Sequence, residues 1–224
     1  MSSGIALILD FGGVITRTLF ETHAMTERAL GLSPGSLTWQ GPFAPESDDL
    51  WIAMQNDEIS EREYWAQRTS EVGRLLGKHW TEMSQFVKAA RGANPESVVR
   101  PEAAQAINTA KARGARLAIL SNELDLFYGP EFRSKLPFLQ KFDVITDATY
   151  TKMLKPDARA YLDCARELGV EPHHCVFVDD QKRNVQGAQD VGMNAVHFDV
   201  RQPGESFRQA LLLLSALPEE LEHA

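Results

Sequence analysis

Cysteine is almost absent from this chain, which has only Cys164 and Cys175 among its 224 residues. Two cysteines cannot build the disulfide framework that is typical of small secreted proteins. We therefore predict two reduced, buried thiols. The chain is long enough to bury a sizeable core without covalent crosslinks, either as one large domain or as a core with a small second domain.

Basic residues and long apolar runs are also scarce. Lysine and arginine number 23 against 31 aspartates and glutamates, and the net charge of −8 disfavours nucleic acid or an anionic membrane as the main partner. No apolar run approaches the ~20 residues of a transmembrane helix. The apolar start, Met1 to Asp10, lacks the basic flank of a signal peptide, so we expect a strand there and a cytoplasmic protein.

Short apolar runs alternate with segments of helical periodicity. This alternation predicts a parallel sheet with crossover helices, an α/β Rossmann-like core. The predicted strands are Ile5 to Leu9, Ala115 to Leu120, Phe142 to Ile145, Cys175 to Val178 and Ala195 to Phe198. The predicted helices are Pro101 to Arg113, Asp157 to Leu168, Asn184 to Val191 and Ser206 to Leu217.

Residues 17–99 interrupt this alternation, because they contain helical patterns and no convincing strand. The helical stretches are Leu19 to Leu30, Asp48 to Met54, Glu61 to Leu76 and Thr81 to Arg91. The sequence thus predicts an inserted α-helical domain at 17–99. Residues 1–16 and 100–224 are assigned to the sheet-bearing core.

Polar side chains follow three of the predicted strands. Asp10 follows the first, Ser121 and Asn122 follow the second, and Asp179 and Asp180 follow the fourth. Ligands of open parallel sheets bind outside the carboxyl ends of the strands, so we expect these residues to lie close together. Neighbouring carboxylates repel one another unless a cation lies between them. Oxygen ligands suit a hard ion such as Mg²⁺.

Four short motifs resemble those of the haloacid dehalogenase-like superfamily. Residues 10–14 (Asp-Phe-Gly-Gly-Val) resemble the first motif, 120–122 (Leu-Ser-Asn) the second and 155–157 (Lys-Pro-Asp) the third. Residues 178–180 (Val-Asp-Asp), followed by Asn184, Gly187 and Ala188, resemble the fourth. The resemblance covers nearly the whole chain in order, and the insertion at 17–99 matches the superfamily's helical cap of the first type.

The resemblance implies a phosphatase that acts on a small phosphorylated metabolite. Asp10 would attack phosphorus and form an aspartyl-phosphate, and Lys155 would balance the charge of the nucleophile and the phosphoryl group. Ser121 and Asn122 would hold phosphoryl oxygens through a hydroxyl and an N–H group. The alternative for Ser121 and Asn122 is a helix cap with no part in the reaction.

The resemblance also implies that Mg²⁺ is the cofactor. Its ligands would be the carboxylate of Asp10, the backbone carbonyl of Gly12, Asp179 and Asp180, bound directly or through water. The alternative for the two adjacent acids is that they lie at a helix start, where the helix macrodipole favours them.

The inserted domain is expected to select the substrate. Arg17 lies near the nucleophile in sequence and is a candidate for binding an anionic group. The aromatic candidates for substrate contact are Trp39, Trp51, Tyr64 and Trp65. Aromatic residues of a helical domain are more often packed core, and that alternative stays open.

Gly12 departs from the superfamily's phosphatase pattern, which has a second aspartate two residues after the nucleophile to act as general acid and base. A phosphomutase is disfavoured, because it depends on that acid. We expect a substrate that needs little protonation, such as a sugar 1-phosphate, an acyl phosphate or an aryl phosphate. Glu123 is an alternative source of the proton.

Two other functions stay open. A metal-independent 2-haloacid dehalogenase would use the same aspartate, tolerate Gly12 and fit Tyr161, but the carboxylates of Asp179 and Asp180 would repel its substrate. The other is a non-catalytic binding or regulatory protein with the same fold.

Overall fold

The computed structural model describes residues 4–91 and 94–218, which form two compact units. The first unit comprises the described parts of Met1–Arg17, Val99–Leu124 and Leu136–Ala224, and the second those of Thr18–Val98 and Asp125–Lys135. The helices are α1 (His23–Leu30), α2 (Asp49–Gln55), α3 (Glu61–Leu75), α4 (Met83–Arg91), α5 (Pro101–Ala112), α6 (Leu124–Tyr128), α7 (Ala148–Thr151), α8 (Ala158–Leu168), α9 (Lys182–Asp190) and α10 (Pro203–Ala216).

A five-stranded parallel sheet forms the centre of the first unit, with the strand order β3-β2-β1-β4-β5. The strands are β1 (Ala6–Leu9), β2 (Arg116–Ser121), β3 (Val144–Asp147), β4 (Cys175–Asp179) and β5 (Asn194–His197). Every residue of β1 and β4 is buried, as expected for a parallel sheet covered by helices on both faces. The predicted α/β fold and all five predicted strands are confirmed, with strand ends shifted by at most two residues.

Helix α8 packs on the sheet face that carries Ile8, Leu120 and Phe177. This layer also contains Cys164 and Cys175, which are free thiols, as the sequence predicted. Burial raises the pKa of each thiol to about 12, so both stay protonated and act as small apolar side chains.

The second unit is helical, and its described residues contain no strand. Its core is a cluster of aromatic rings centred on Phe20, whose centroid lies 5.4 Å from that of Trp39 and 5.2 Å from that of Trp51. A buried ion pair joins Arg68 to Asp48 at 2.5 Å. Tyr64 also donates a hydrogen bond to Asp48, at 2.9 Å.

The second unit includes a segment that the sequence pattern assigns to the core, within residues 100–224. Residues 125–135 join it because Phe127 and Tyr128 pack against its hydrophobic cluster. Its other boundaries, Thr18 and Val98, lie within one residue of the predicted 17–99 insertion. The roles of the two units as catalytic core and substrate-selecting cap stay predictions.

None of the helices in the described residues is both long enough and apolar enough to span a membrane. The cytoplasmic location stays a prediction.

Candidate active site

Asp10 directly follows β1, and its backbone N–H donates to the carbonyl of Val178 on β4 at 2.9 Å. The chain then turns through Phe11–Ile15. Gly13 has a φ of 81°, in the left-handed region that favours glycine. Gly12 has a φ of −71° and a ψ of 128°, which any residue can adopt. The sharp turn therefore depends on Gly13, and the backbone does not require glycine at position 12.

A buried arginine holds this turn in place. The Nε and Nη2 atoms of Arg100 donate to the carbonyl of Gly13 at 3.1 and 3.0 Å. The Arg100 backbone N–H donates to the carbonyl of Ile15 at 2.9 Å. Arg100 could not be identified from the sequence, because an arginine just before a proline-initiated helix has no motif that distinguishes it from a surface residue.

Lys155 lies between two carboxylates. Its Nζ is 2.7 Å from Oδ1 of Asp10 and 2.6 Å from Oδ2 of Asp179, and its side chain is 1% exposed. Burial alone would lower the pKa of Lys155, but the charges of Asp10 and Asp179 raise it above its usual value. Lys155 is therefore charged at neutral pH.

Asp10 is a carboxylate in an unfavourable environment. Burial, together with the charge of Asp179, raises its pKa to about 6, although Lys155 acts in the opposite direction. A further cation near Asp10 would favour its ionised form at neutral pH.

Asp179 is fully buried, and both of its carboxylate oxygens are engaged. Besides Lys155, it accepts hydrogen bonds from the backbone N–H of Gln181 at 2.8 Å and from Nδ2 of Asn184 at 3.1 Å to each oxygen. This geometry favours Asp179 as the residue that positions Lys155, rather than as the metal ligand that the sequence analysis expected. Asp180, the next residue, is half-buried.

Ser121 is the last residue of β2 and is buried. Both polar atoms of the Asn122 side chain bond to the backbone of Lys155. Oδ1 accepts from the Lys155 N–H at 2.7 Å, and Nδ2 donates to the Lys155 carbonyl at 3.1 Å. The Asn122 side chain thus ties the second motif to the third. The motif resemblance predicts that Asn122 binds phosphate. Binding by its side chain is not supported, and any such contact would use its backbone N–H.

The residues that the metal site would use all offer oxygen donors: the side chains of Asp10 and Asp180 and the carbonyl of Gly12. The described residues contain no group of three or more His, Cys, Asp or Glu arranged as a metal site. Mg²⁺ does not need such a group, because it keeps several waters in its coordination shell. Oδ1 of Asn184 is buried without a hydrogen-bond partner in the described structure, so it is an acceptor that a water held by the ion could satisfy. The residues present therefore fit Mg²⁺.

Most of the predicted substrate-contact residues are packed core of the second unit. Trp39, Tyr64 and Trp65 are buried in its aromatic cluster, and Trp51 packs edge-on against Tyr64 with ring centroids 5.9 Å apart. These aromatic residues are therefore better explained as packed core than as substrate contacts. Arg17 is half-buried and follows the turn after Asp10, and its predicted role stays a prediction.

Tyr161, which supports a dehalogenase, and Glu123, the alternative proton donor, are both buried in the first unit. Tyr161, which fitted a dehalogenase, is fully buried, and its hydroxyl donates to the carbonyl of Asn184 at 2.8 Å. It also contacts the Phe177 ring, so it acts as packed core. Glu123, the alternative proton donor, is 7% exposed.

Comparisons with known proteins identify the family of this chain. Acyl-CoA dehydrogenase family member 10 of Mus musculus is 31% identical over 213 residues, which is 92% of this chain, and the chain spans 19% of that protein's length. Hexitol phosphatase B of Escherichia coli K12 is 26% identical over 170 residues, 67% of this chain and 77% of that protein.

Among solved structures, L-2-haloacid dehalogenase from Xanthobacter autotrophicus has a TM-score of 0.56 and 21% identity, covering 87% of this chain and 77% of the dehalogenase. That likeness concerns the fold alone. The sequence profile of the haloacid dehalogenase-like hydrolases matches residues 6–192. This chain therefore belongs to the haloacid dehalogenase-like hydrolases.

Proposed function

We propose that this protein is a Mg²⁺-dependent phosphomonoester hydrolase that works through an aspartyl-phosphate on Asp10. The observation that carries the proposal is the contact of Lys155 with both Asp10 and Asp179, next to the further carboxylate of Asp180. A nucleophilic carboxylate that must approach an anionic phosphoryl group needs positive charge beside it. The similarity to hexitol phosphatase B supports a small phosphorylated metabolite as the substrate.

The reaction has two displacements at phosphorus. In the first, an oxygen of Asp10 attacks phosphorus, the bond from phosphorus to the ester oxygen breaks, and the leaving oxygen takes a proton from water. In the second, a water oxygen attacks phosphorus and the bond from phosphorus to the Asp10 oxygen breaks. The proton of this water passes to the hydroxide that the first step left, and inorganic phosphate and the Asp10 carboxylate are released. Lys155 holds Asp10 in position, and Asp179 fixes Lys155 from the other side.

Mg²⁺ at Asp10, the Gly12 carbonyl and Asp180 would supply the charge that neutralises the phosphoryl oxygens. Ser121, at the end of β2, is the candidate that holds a phosphoryl oxygen through its hydroxyl.

Gly12 narrows the substrate class. General acid–base help is worth ~10²–10⁴-fold in rate. A hydrolase without the second aspartate is therefore best suited to good leaving groups, which favours a sugar 1-phosphate, an acyl phosphate or an aryl phosphate.

A metal-independent 2-haloacid dehalogenase is the competing function, and the fold similarity to one such enzyme is its main support. Its weakness is in the site. Tyr161 is buried away from solvent, and the two adjacent acids Asp179 and Asp180 would repel the carboxylate of a haloacid.

The test compares two assays on the same preparation. Phosphate release from p-nitrophenyl phosphate is measured with Mg²⁺, with EDTA and in the Asp10→Asn variant, beside halide release from 2-chloropropionate. We expect phosphate release that EDTA and Asp10→Asn both abolish, and no halide release. Halide release that EDTA leaves unchanged would overturn the proposal.

A further inference from the structure

Two adjacent glycines lie in the turn that follows Asp10. A residue without a Cβ adopts many more combinations of φ and ψ than other residues, so a glycine pair gives little rigidity of its own to a turn. The carbonyl of Gly12, the proposed metal ligand, belongs to the peptide unit directly before that of Gly13. Its direction relative to the next carbonyl therefore depends on the two torsion angles of Gly13, which have values of 81° and −31°.

Arg100 fixes this part of the turn with donors from its side chain and its backbone. Nε and Nη2 both donate to the carbonyl of Gly13, at 3.1 and 3.0 Å. A carbonyl oxygen has two lone pairs, so two donors on one oxygen determine its direction as well as its position. The Arg100 backbone N–H donates to the carbonyl of Ile15 at 2.9 Å. One residue thus holds two carbonyls of the turn.

Arg100 is itself attached to rigid parts of the first unit. Its side chain is buried, and its guanidinium carbon lies 5.5 Å from the centre of the Phe198 ring. Its carbonyl accepts from the backbone N–H of Ala104 at 3.1 Å, in the first turn of α5. A group supported in this way by regular structure can hold a site more precisely than a loop can.

We propose that Arg100 is a positioning residue for the reaction at Asp10. By holding the carbonyl of Gly13, it keeps the adjacent carbonyl of Gly12 in the direction that the reaction needs, and it acts through the turn rather than on the substrate. The inference rests on the proposed phosphatase reaction. A misplacement of about 1 Å in a catalytic site can cost ~10²-fold in rate, which sets the size of the expected effect.

Steady-state kinetics with p-nitrophenyl phosphate and Mg²⁺ tests the proposal. Arg100→Met keeps an apolar chain and removes the donors of the guanidinium, so we expect kcat to fall about 100-fold. The KM should stay within about threefold, because Arg100 acts through the turn. Arg100→Lys keeps a cationic donor without the planar fork and should lose only about tenfold in kcat. Rates are expressed per folded protein, with the folded fraction taken from thermal melts.

Ile107→Ala is the matched control for stability. Ile107 is fully buried on the same helix, α5, and lies outside the turn. Its truncation should lower the thermal midpoint, while kcat per folded protein at low temperature changes less than about twofold. An equal loss of kcat in Ile107→Ala and Arg100→Met would overturn the proposal. A raised KM with unchanged kcat in Arg100→Met would also overturn it.

Hydrogen exchange gives a readout that needs no activity. In Arg100→Met, the peptide that covers residues 11–16 should exchange about tenfold faster than in the wild type, while a peptide from β2 keeps its rate. Ile107→Ala should show no such selective change. If Arg100→Met does not fold, Arg100→Lys takes its place in both measurements. If the wild type releases no phosphate, the proposed function fails, and exchange alone decides the inference: without selective acceleration in residues 11–16, it is overturned.

Discussion

The two units of this protein use their polar residues in opposite ways. In the first unit, Lys155 and two carboxylates meet at the ends of neighbouring strands, and Asp10 remains partly accessible, with 14% of its side chain exposed. In the second unit, the ion pair of Asp48 and Arg68 is enclosed by aromatic rings, with the Arg68 guanidinium 5.2 Å from the Tyr64 ring. The charges of the first unit meet at the candidate active site, whereas those of the second unit serve internal packing.

This difference separates catalysis from stability. Changes at the sheet edge should alter chemistry more than folding, and changes in the aromatic core should alter folding more than chemistry. Asp179 is the informative exception, because it is a fully buried charge inside the candidate active site.

The largest expected effect comes from a substitution that abolishes catalysis without unfolding the first unit. Asp10→Asn should lower kcat for p-nitrophenyl phosphate about 10³-fold or more, because the covalent route is lost. Steady-state rates measure this effect. Asp57→Asn is the control, since Asp57 is exposed with a φ of 58° that asparagine also adopts. A similar loss in the control, or residual activity near wild type in Asp10→Asn, would contradict the assignment.

The next comparison separates the two adjacent acids. Asp179→Asn should lower the free energy of unfolding by about 3 kcal/mol, because Lys155 loses a buried partner. Asp180→Asn should change stability little but raise the Mg²⁺ concentration for half-maximal activity about tenfold or more. Urea titration and Mg²⁺ titration of activity measure the two effects. Unchanged stability in Asp179→Asn would mean that Asp179 does not fix Lys155.

A third variant tests the second unit by the same logic. Arg68→Met should lower the free energy of unfolding by about 3 kcal/mol, because it leaves Asp48 as an uncompensated buried charge. Activity on p-nitrophenyl phosphate at low temperature should change less than about threefold, since Arg68 and Asp10 belong to different compact units. Arg74→Met, at an exposed position of the same helix, is the stability control. A large loss of kcat in a folded Arg68→Met protein would contradict the assignment of catalysis to the first unit and of a purely structural role to this ion pair.

The smallest expected effect concerns the leaving-group preference that we attribute to Gly12. The backbone at this position accepts any residue, so Gly12→Asp can supply the absent acid. The ratio of kcat/KM for β-glycerophosphate to that for p-nitrophenyl phosphate should rise about tenfold, because an alkoxide gains more from protonation. Gly12→Asn is the matched control, since it adds a similar side chain without the acid. No change in the ratio would count against the leaving-group explanation.

The sequence predicted the first unit well for a physical reason. Buried parallel strands are continuous apolar runs, so the residues that follow them can be located without a structure. Asp10, Ser121 and Asp179 were placed at the sheet edge in this way, and the motif resemblance added Lys155.

What the sequence did not reveal depends on long-range contacts. No local pattern shows that both oxygens of Asp179 are engaged by Lys155 and Asn184, or that Arg100 reaches the carbonyl of Gly13, a residue 87 positions earlier. The same holds for residues 125–135, whose aromatic side chains join the helical unit through tertiary packing. Aromatic residues such as Trp39 cannot be assigned to packing or to binding from composition, because both uses favour the same side chains.

The central claim is that Asp10 is the nucleophile of a phosphoryl transfer. Rapid quenching of the enzyme with p-nitrophenyl phosphate and Mg²⁺, followed by mass spectrometry, tests it directly. We predict that the peptide containing Asp10 gains one phosphoryl group, and that EDTA or Asp10→Asn prevents this gain. An unlabelled peptide during active phosphate release, or a phosphoryl group on another residue, would contradict the account.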